Sequence, residues 1–321
     1  MKRLVYVATL AILFALAAFP AAAQYPARPV RMLVGFTPAG GVDLTARMVA
    51  QKLSERWGKP VLVENRPGAS GNIAAEMLAK SAPDGYTLMM AFSSHASNPA
   101  LSQKLPFDIA KDFTPITLVA TAPVTVLAGP NFAPKNLAEL IEHARANPGG
   151  VKYASSGVGT PVHLAGELLM QIAGIRLTHV PYKGIAPAMT AMLGGETEIT
   201  FAAVLSGLQH VKNGRLRALA LASRNRYPEL PDVPTAAESG TNGFEIDYWY
   251  ALLGPPGMPR ALVDQIQREI AAIINAPEMK QSLLAQGSIS VGGSPEELAA
   301  RIQSDYALWS RVVKAGGVKV E

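Results

Sequence analysis

The chain has 321 residues, 49% of them hydrophobic and 17% charged, and no cysteine, which excludes disulfides, thiolate nucleophiles and Cys-ligated metals. Its formal net charge of +5 comes from scattered Lys and Arg, which excludes a nucleic-acid footprint and only mildly favours anionic ligands. The high apolar content suits a well-buried α/β architecture.

Lys2 and Arg3 open the chain, residues 4–18 are almost entirely apolar, and AFPAAAQ follows with small residues at Ala21 and Ala23. This is the three-part pattern of a secretory signal, with cleavage expected after Ala23 and no cysteine there to carry a lipid. The apolar core is shorter than the roughly 20 residues of a membrane span. Loss of Lys2 and Arg3 lowers the net charge from +5 to +3. Residues 24–321 exceed what one core usually holds, so two domains are expected.

Strand-like and helical runs then alternate. Residues 30–36 are apolar and β-prone. Residues 43–57 carry Leu44, Met48, Val49, Leu53 and Trp57 near helical spacing, with Asp43 as N-cap and Gly58 as the stop. A strand at 61–64, the turn RPGASGN, a helix at 73–82, the turn PDGY and a strand at 87–92 complete a first block. The second block reads as a strand at 117–128, a helix at 136–146, a strand at 151–155 and a helix at 161–173. A strand at 177–180, a helix at 185–193 and strands at 199–203 and 216–222 follow. From Phe244 the chain is aromatic and extended, FEIDYWYALLGPP, and ends in helices at 260–275, 277–286 and 295–315.

Such alternation predicts mainly parallel sheets flanked by helices. The expected division is a discontinuous first domain, 24–121 plus 247–321, interrupted by a second at 122–246. Strands near 117–127 and 245–252 would cross between them as a hinge around a cleft.

Two glycine-rich bends stand where a strand meets a helix. TPAGGVD (37–43) lacks both the dinucleotide fingerprint and the P-loop Lys-Ser/Thr. SSGVGTP (155–161) adds Ser155, Ser156 and Thr160 before a helix opened by Pro161. Each bend presents free amides at a helix start, a place for an anion. The bland reading of either is a tight turn without a ligand, but one bend per domain would bring two such sites face to face across a cleft. In that arrangement Asp43 caps its helix and does not touch the anion. The five histidines show no metal-ligand spacing and read as structural or surface groups. His95, in SSHASNP just after a strand end, is the exception, because ligand loops gather there. No nucleophile elbow, Ser-His-Asp pattern or cofactor motif appears. The run Tyr248, Trp249, Tyr250 reads as hinge and core packing.

These residues, in order from YPARPVRMLVGFTPAGGVDLTARMVAQKL through VKYASSGVGTPVHLAGELL and HVPYKGIAPAMTAMLGGE to WYALLGPPGMP, resemble the Bug family, the periplasmic solute-binding proteins of tripartite tricarboxylate transporters. The likeness covers the mature chain from end to end. It implies a hinged two-domain binding protein of the second periplasmic type (a Venus flytrap), a carboxylate ligand, delivery to a membrane permease, no catalysis and no cofactor. It implies that Phe36, Thr37, Pro38, Ala39, Gly40 and Gly41 grip the carboxylate from one side and Ser155, Ser156, Gly157, Gly159 and Thr160 from the other. More variable positions would meet the far end of the ligand, here Ser93, Ser94, His95, Phe201, Ala202 and Ala203.

Two departures stand out. Ala39 and Val42 replace the usual Gly and hydroxyl residue. Ala202 and Ala203 stand where many members carry Asp-Asn, so an ammonium group would lack its counter-charge. The expected ligand is therefore a non-amino carboxylic acid, a di- or tricarboxylate or an aromatic acid, bound by a periplasmic monomer. An exported enzyme acting on a carboxylate and a ligand-sensing partner of a membrane sensor kinase are the competing readings.

Overall fold

The computed structural model describes residues 25–101, 105–109 and 111–319. The expected signal segment and its cleavage point lie outside them. Among the described residues, no helix is long and apolar enough to cross a membrane.

The first half is built on β1 (Val30–Val34), flanked in parallel by β2 (Val61–Asn65) and β3 (Thr87–Phe92). β1 reads VRMLV because both of its faces are covered, as parallel strands require. Met32 and Val34 pack into one apolar cluster, while Leu33 packs with Ala74, Met89 and Trp249 in another. The second half repeats the plan, with β5 (Lys152–Ser155) between β6 (Thr178–Pro181) and β7 (Ile199–Ala203).

One strand, β4 (Thr114–Ala128), runs through both halves. Its first part pairs antiparallel with β9 (Asp247–Gly254) and the short β10 (Ile289–Ser290), and its last part with β7 and β8 (Arg217–Leu221). The path across the molecule is β2-β1-β3-β9-β4-β7-β5-β6. Each half thus holds a parallel trio, and the sheet as a whole is mixed. β9 itself lies between β3 and β4. The second connection between halves is made just before it, where Ile246 N–H donates to Ala222 O (2.6 Å) and Ala222 N–H to Val124 O (2.8 Å).

The helices are α1 (Gly41–Trp57), α2 (Asn72–Ala79), α3 (Ser94–Leu101), α4 (Leu137–Ala146), α5 (Pro161–Ala173) and α6 (Ile185–Leu193). They continue with α7 (Val204–Lys212), α8 (Arg260–Ile274), α9 (Pro277–Ala285) and α10 (Pro295–Gly316). Neither α3 nor α7 was expected from the sequence. α1 stops at Gly58, whose φ of 61° lets its N–H reach Ser54 O. α10 starts on a capping box, Ser294 with Glu297, and Pro295 as first helical residue. Its Asp305 carboxylate accepts from Trp249 Nε1 (2.7 Å) and Arg301 Nε (2.9 Å), which pins it to β9. Further along, Gln171 Nε2 of α5 donates to Val312 O (3.0 Å), so α10 reaches the second half as well.

Candidate functional site

The first bend leaves β1 at Gly35, where any Cβ would lie 2.6 Å from Gly71 Cα. The helix that follows is capped by the extended backbone of Gly40, without a side-chain cap. Asp43 is therefore not the N-cap expected from the sequence. It sits on the first helical turn and ties the loop from inside. Its Oδ2 accepts from Ala39 N–H (2.9 Å) and Arg47 Nε (2.9 Å), and its Oδ1 from Asn65 Nδ2 (2.8 Å). Burial pushes this carboxyl up, but the hydrogen bonds from Arg47, Asn65 and Ala39 outweigh it and hold the group below the usual carboxylate range. The first backbone bond of α1 is Leu44 N–H to Gly40 O (2.9 Å), so the Gly41 and Val42 amides have no acceptor within the helix.

The second bend is tied by imidazole. Thr160 caps α5, accepting from His163 N–H (3.4 Å) and donating to Gly157 O (2.7 Å). Gly159 donates its N–H to His163 Nδ1 (2.9 Å) with φ at 74°. Behind it His163 and His179 stack with centroids 3.8 Å apart, and His179 stacks on Tyr153 at 4.9 Å. Ser155 is fully buried, with its Oγ 2.6 Å from His179 Nε2 and bonded to Gly157. Burial and then the charge of neighbouring His163 push His179 down to about 4, against the pull of Glu167.

Between the halves lies a cavity of about 380 Å³. Four helix starts open onto it: α1 at Gly40, Gly41 and Val42, α5 at Pro161 and Val162, α6 at Ile185, and α7 at Leu205 and Ser206. Phe36, Phe92, Tyr248 and Tyr250 form an aromatic wall, in which Phe92 meets Phe36 edge-on at 5.5 Å and stacks on Tyr250 at 5.7 Å. Tyr248 donates its hydroxyl to Phe201 O of the other half (3.0 Å). Burial pushes both phenols up, Tyr250 to about 12, so both stay neutral. The remaining polar lining is Thr37, Ser156, Ser206 and Gln286. Among the described residues, no charged side chain lines the cavity. The orphan amides and aligned dipoles of four helices make the site electropositive without a cation.

Of the residues singled out in the sequence, the cavity brings together Phe36, Thr37, Gly40, Gly41, Ser156 and Ala203. Pro38 and Ala39 are exposed on the loop, outside the lining, and the Ala39 amide is taken by Asp43. Ser93, Ser94 and His95 are buried rather than at the cavity wall. His95 Nδ1 accepts from Phe92 N–H (3.2 Å) and its Nε2 lies 3.3 Å from Gly71 O, and burial keeps its pKa down. Ser155, Gly157, Gly159 and Thr160 form the frame behind Ser156. Phe201 and Ala202 belong to the core, the latter packed with Leu127 and Met192. Alternation along β7 explains why Ala203 reaches the cavity and Ala202 does not. Sequence reasoning missed α7 with Leu205 and Ser206, the far segment with Gln286, and the part of Tyr248 and Tyr250 in the wall.

Comparison with known proteins gives the chain a family. Residues 45–318 match the tripartite tricarboxylate transporter family receptor, TctC. The chain is 34% identical to the protein BugT of Bordetella pertussis over 324 aligned positions, covering 100% of this chain and 99% of that one. It superposes on an R. palustris protein solved with adipate at TM-score 0.82 and 33% identity, covering 92% of this chain and 99% of that one. It also superposes on MatC of Rhodopseudomonas palustris with bound malate at TM-score 0.78 and 30% identity, covering 90% and 100%. The chain belongs to the tripartite tricarboxylate transporter receptor family, the TctC or Bug periplasmic solute-binding proteins.

Proposed function

We propose that this protein captures a small carboxylic acid without an ammonium group in the cavity between its halves, does not transform it, and hands it to a tripartite tricarboxylate-type permease. One observation carries the reading: four helix starts converge on a largely apolar cavity that no charged side chain lines among the described residues. A carboxylate there gains backbone donors and favourable dipoles. An ammonium group would face four positive helix ends and no acid, with Ala203 offering nothing in its place. The structures of relatives with adipate and malate support the same class of ligand.

The two halves act as domains, 24–121 plus 247–321 and 122–246, and β4 with the chain before β9 is the hinge between them. The mature monomer begins after Ala23. Calorimetric titration against adipate, malate, benzoate, aspartate and glutamate tests the ligand class. Non-amino acids should bind, and tight binding of aspartate or glutamate alone would overturn the reading. Delivery predicts that uptake of the bound acid by cells carrying the permease pair stops when this chain is deleted and returns when it is restored.

A further inference from the structure

Gln286 follows the last turn of α9, where its N–H reaches Leu283 O (3.0 Å). Its side chain lines the cavity and lies against α1, with Nε2 3.4 Å from Met48 Sδ, a weak acceptor. Its Oε1 is buried and, among the described residues, has no partner. A buried amide oxygen without a donor is unfavourable, and natural structures keep few of them. Met48 stands seven residues beyond Gly41, on the order of 10 Å further along α1. The orphan group therefore lies beside the Met48 side chain, about two turns along α1 from the helix start at Gly41.

The next residue fixes this placement. Gly287 has φ of 69°, and a Cβ there would lie 2.6 Å from Leu205 N. The turn thus presses on the start of α7, whose Leu205 and Ser206 line the same cavity. Gln286 is held at the seam where the two halves meet.

We propose that Gln286 is a specificity-determining residue whose carboxamide takes the second polar group of the ligand, remote from the carboxylate held at the Gly40–Gly41 start of α1. The inference rests on the carboxylate-capture reading above. A side-chain amide suits the task because a half-turn presents either NH2 to a second carboxylate or Oε1 to a hydroxyl. The selection is between acids of equal length with and without a polar far end.

Adipate and hexanoate make the matched pair, titrated against the wild type, Gln286→Leu and Gln286→Glu. The wild type should prefer adipate at least tenfold. In Gln286→Leu, adipate should weaken tenfold or more while hexanoate holds or tightens, bringing the ratio near one. Gln286→Glu should repel adipate further and change hexanoate little. Melting of the ligand-free variants near the wild-type temperature confirms the fold, and Gln286→Met serves if the leucine variant fails to fold. An adipate-to-hexanoate ratio within twofold of wild type in Gln286→Leu, or a wild type that prefers hexanoate, overturns the proposal. A wild type that binds no carboxylic acid removes the parent reading, and this one with it.

Discussion

The two bends that frame the cavity perform the same backbone task with opposite electrostatic supports. In the first, a buried carboxylate, Asp43, gathers Ala39 N–H, Arg47 and Asn65 and leaves the glycine amides free. In the second, the His163 imidazole accepts the Gly159 amide at Nδ1, backed by the stacked His179 and the buried Ser155 hydroxyl. The first support works only when ionised, and the second accepts its amide only while Nδ1 is unprotonated. A helix start can be rigidified by either kind of acceptor.

The largest expected effect comes from placing an anion where the ligand belongs. Gly40 has φ of −79°, and a Cβ there meets nothing closer than Thr37 O at 3.7 Å, so Gly40→Asp fits without strain. Aspartate is also a good N-cap, worth a few tenths of a kcal/mol over glycine. Stability should hold or rise slightly, while affinity for the carboxylate falls a hundredfold or more, about 2.7 kcal/mol. Calorimetry and thermal melting on the same sample separate the two readouts, and unchanged affinity would mean that the first bend is merely structural.

Next comes the support itself. Asp43→Asn keeps the shape but leaves one oxygen for three donors, with an NH2 turned toward one of them. It should cost about 2–3 kcal/mol in urea unfolding. A loss below about 0.5 kcal/mol would show that the buried carboxylate does not organise the loop.

Acid should strain the second bend before the first. The folded pKa of His179, about 4, lies below its ordinary value of 6.5, so the unfolded chain takes up a proton that the native state resists. The stability it supports is intact above pH 6.5 and is lost progressively as pH falls toward about 4. Asp43 behaves later: its folded pKa lies below the ordinary 3.8, so its contribution is intact above that value and fades as pH drops from there through the lower folded one. His95 is also depressed by burial and adds to the loss on the acid side of 6.5. His179→Gln keeps a polar partner for Ser155 without titrating. It should recover roughly 1 kcal/mol of the loss between pH 7 and 5, a figure reduced for partial exposure of the ring. Identical pH dependence of melting in both proteins would remove His179 from the account.

Much of the fold was legible because strands buried on both faces and glycine-stopped helices leave strong local patterns. Val30 to Val34 and the run ending at Gly58 are examples. The two missed helices lack that clarity for physical reasons. SHASNPAL carries turn-formers and Pro99, and tertiary contacts override them: the His95 ring bonds to backbone on both sides, and Asn98 donates to Ser70 O. In α7, Val204, Leu208 and Val211 do stand at helical spacing, but Ser206 and Gly207 suggest a break. Gly207 is there because a Cβ would lie 2.4 Å from Leu127 Cδ1 of β4. The near half of the site followed from its glycine bends. The far half did not, since which face of β7 or which residue after α9 meets the cavity depends on strand register and on the Gly287 turn.

The smallest expected effect sharpens the contrast between the bends. Gly159 is a glycine at φ of 74°, whereas Ala39 holds φ of 67° with a Cβ. Left-handed backbone costs an L-residue roughly 1–2 kcal/mol, and glycine gives back about 0.5–1 kcal/mol of that in unfolded-chain entropy. Ala39→Gly should therefore stabilise the protein by about 0.5 kcal/mol. Its side chain is exposed and outside the cavity lining, so affinity should stay within about twofold of wild type. Thermal melting with calorimetry checks both halves of the expectation. A destabilised variant would mean that the alanine methyl makes up for its own strain, and a large change in affinity would mean that stiffness at Ala39, rather than the Asp43 tether, keeps the Gly40 and Gly41 amides aimed at the ligand.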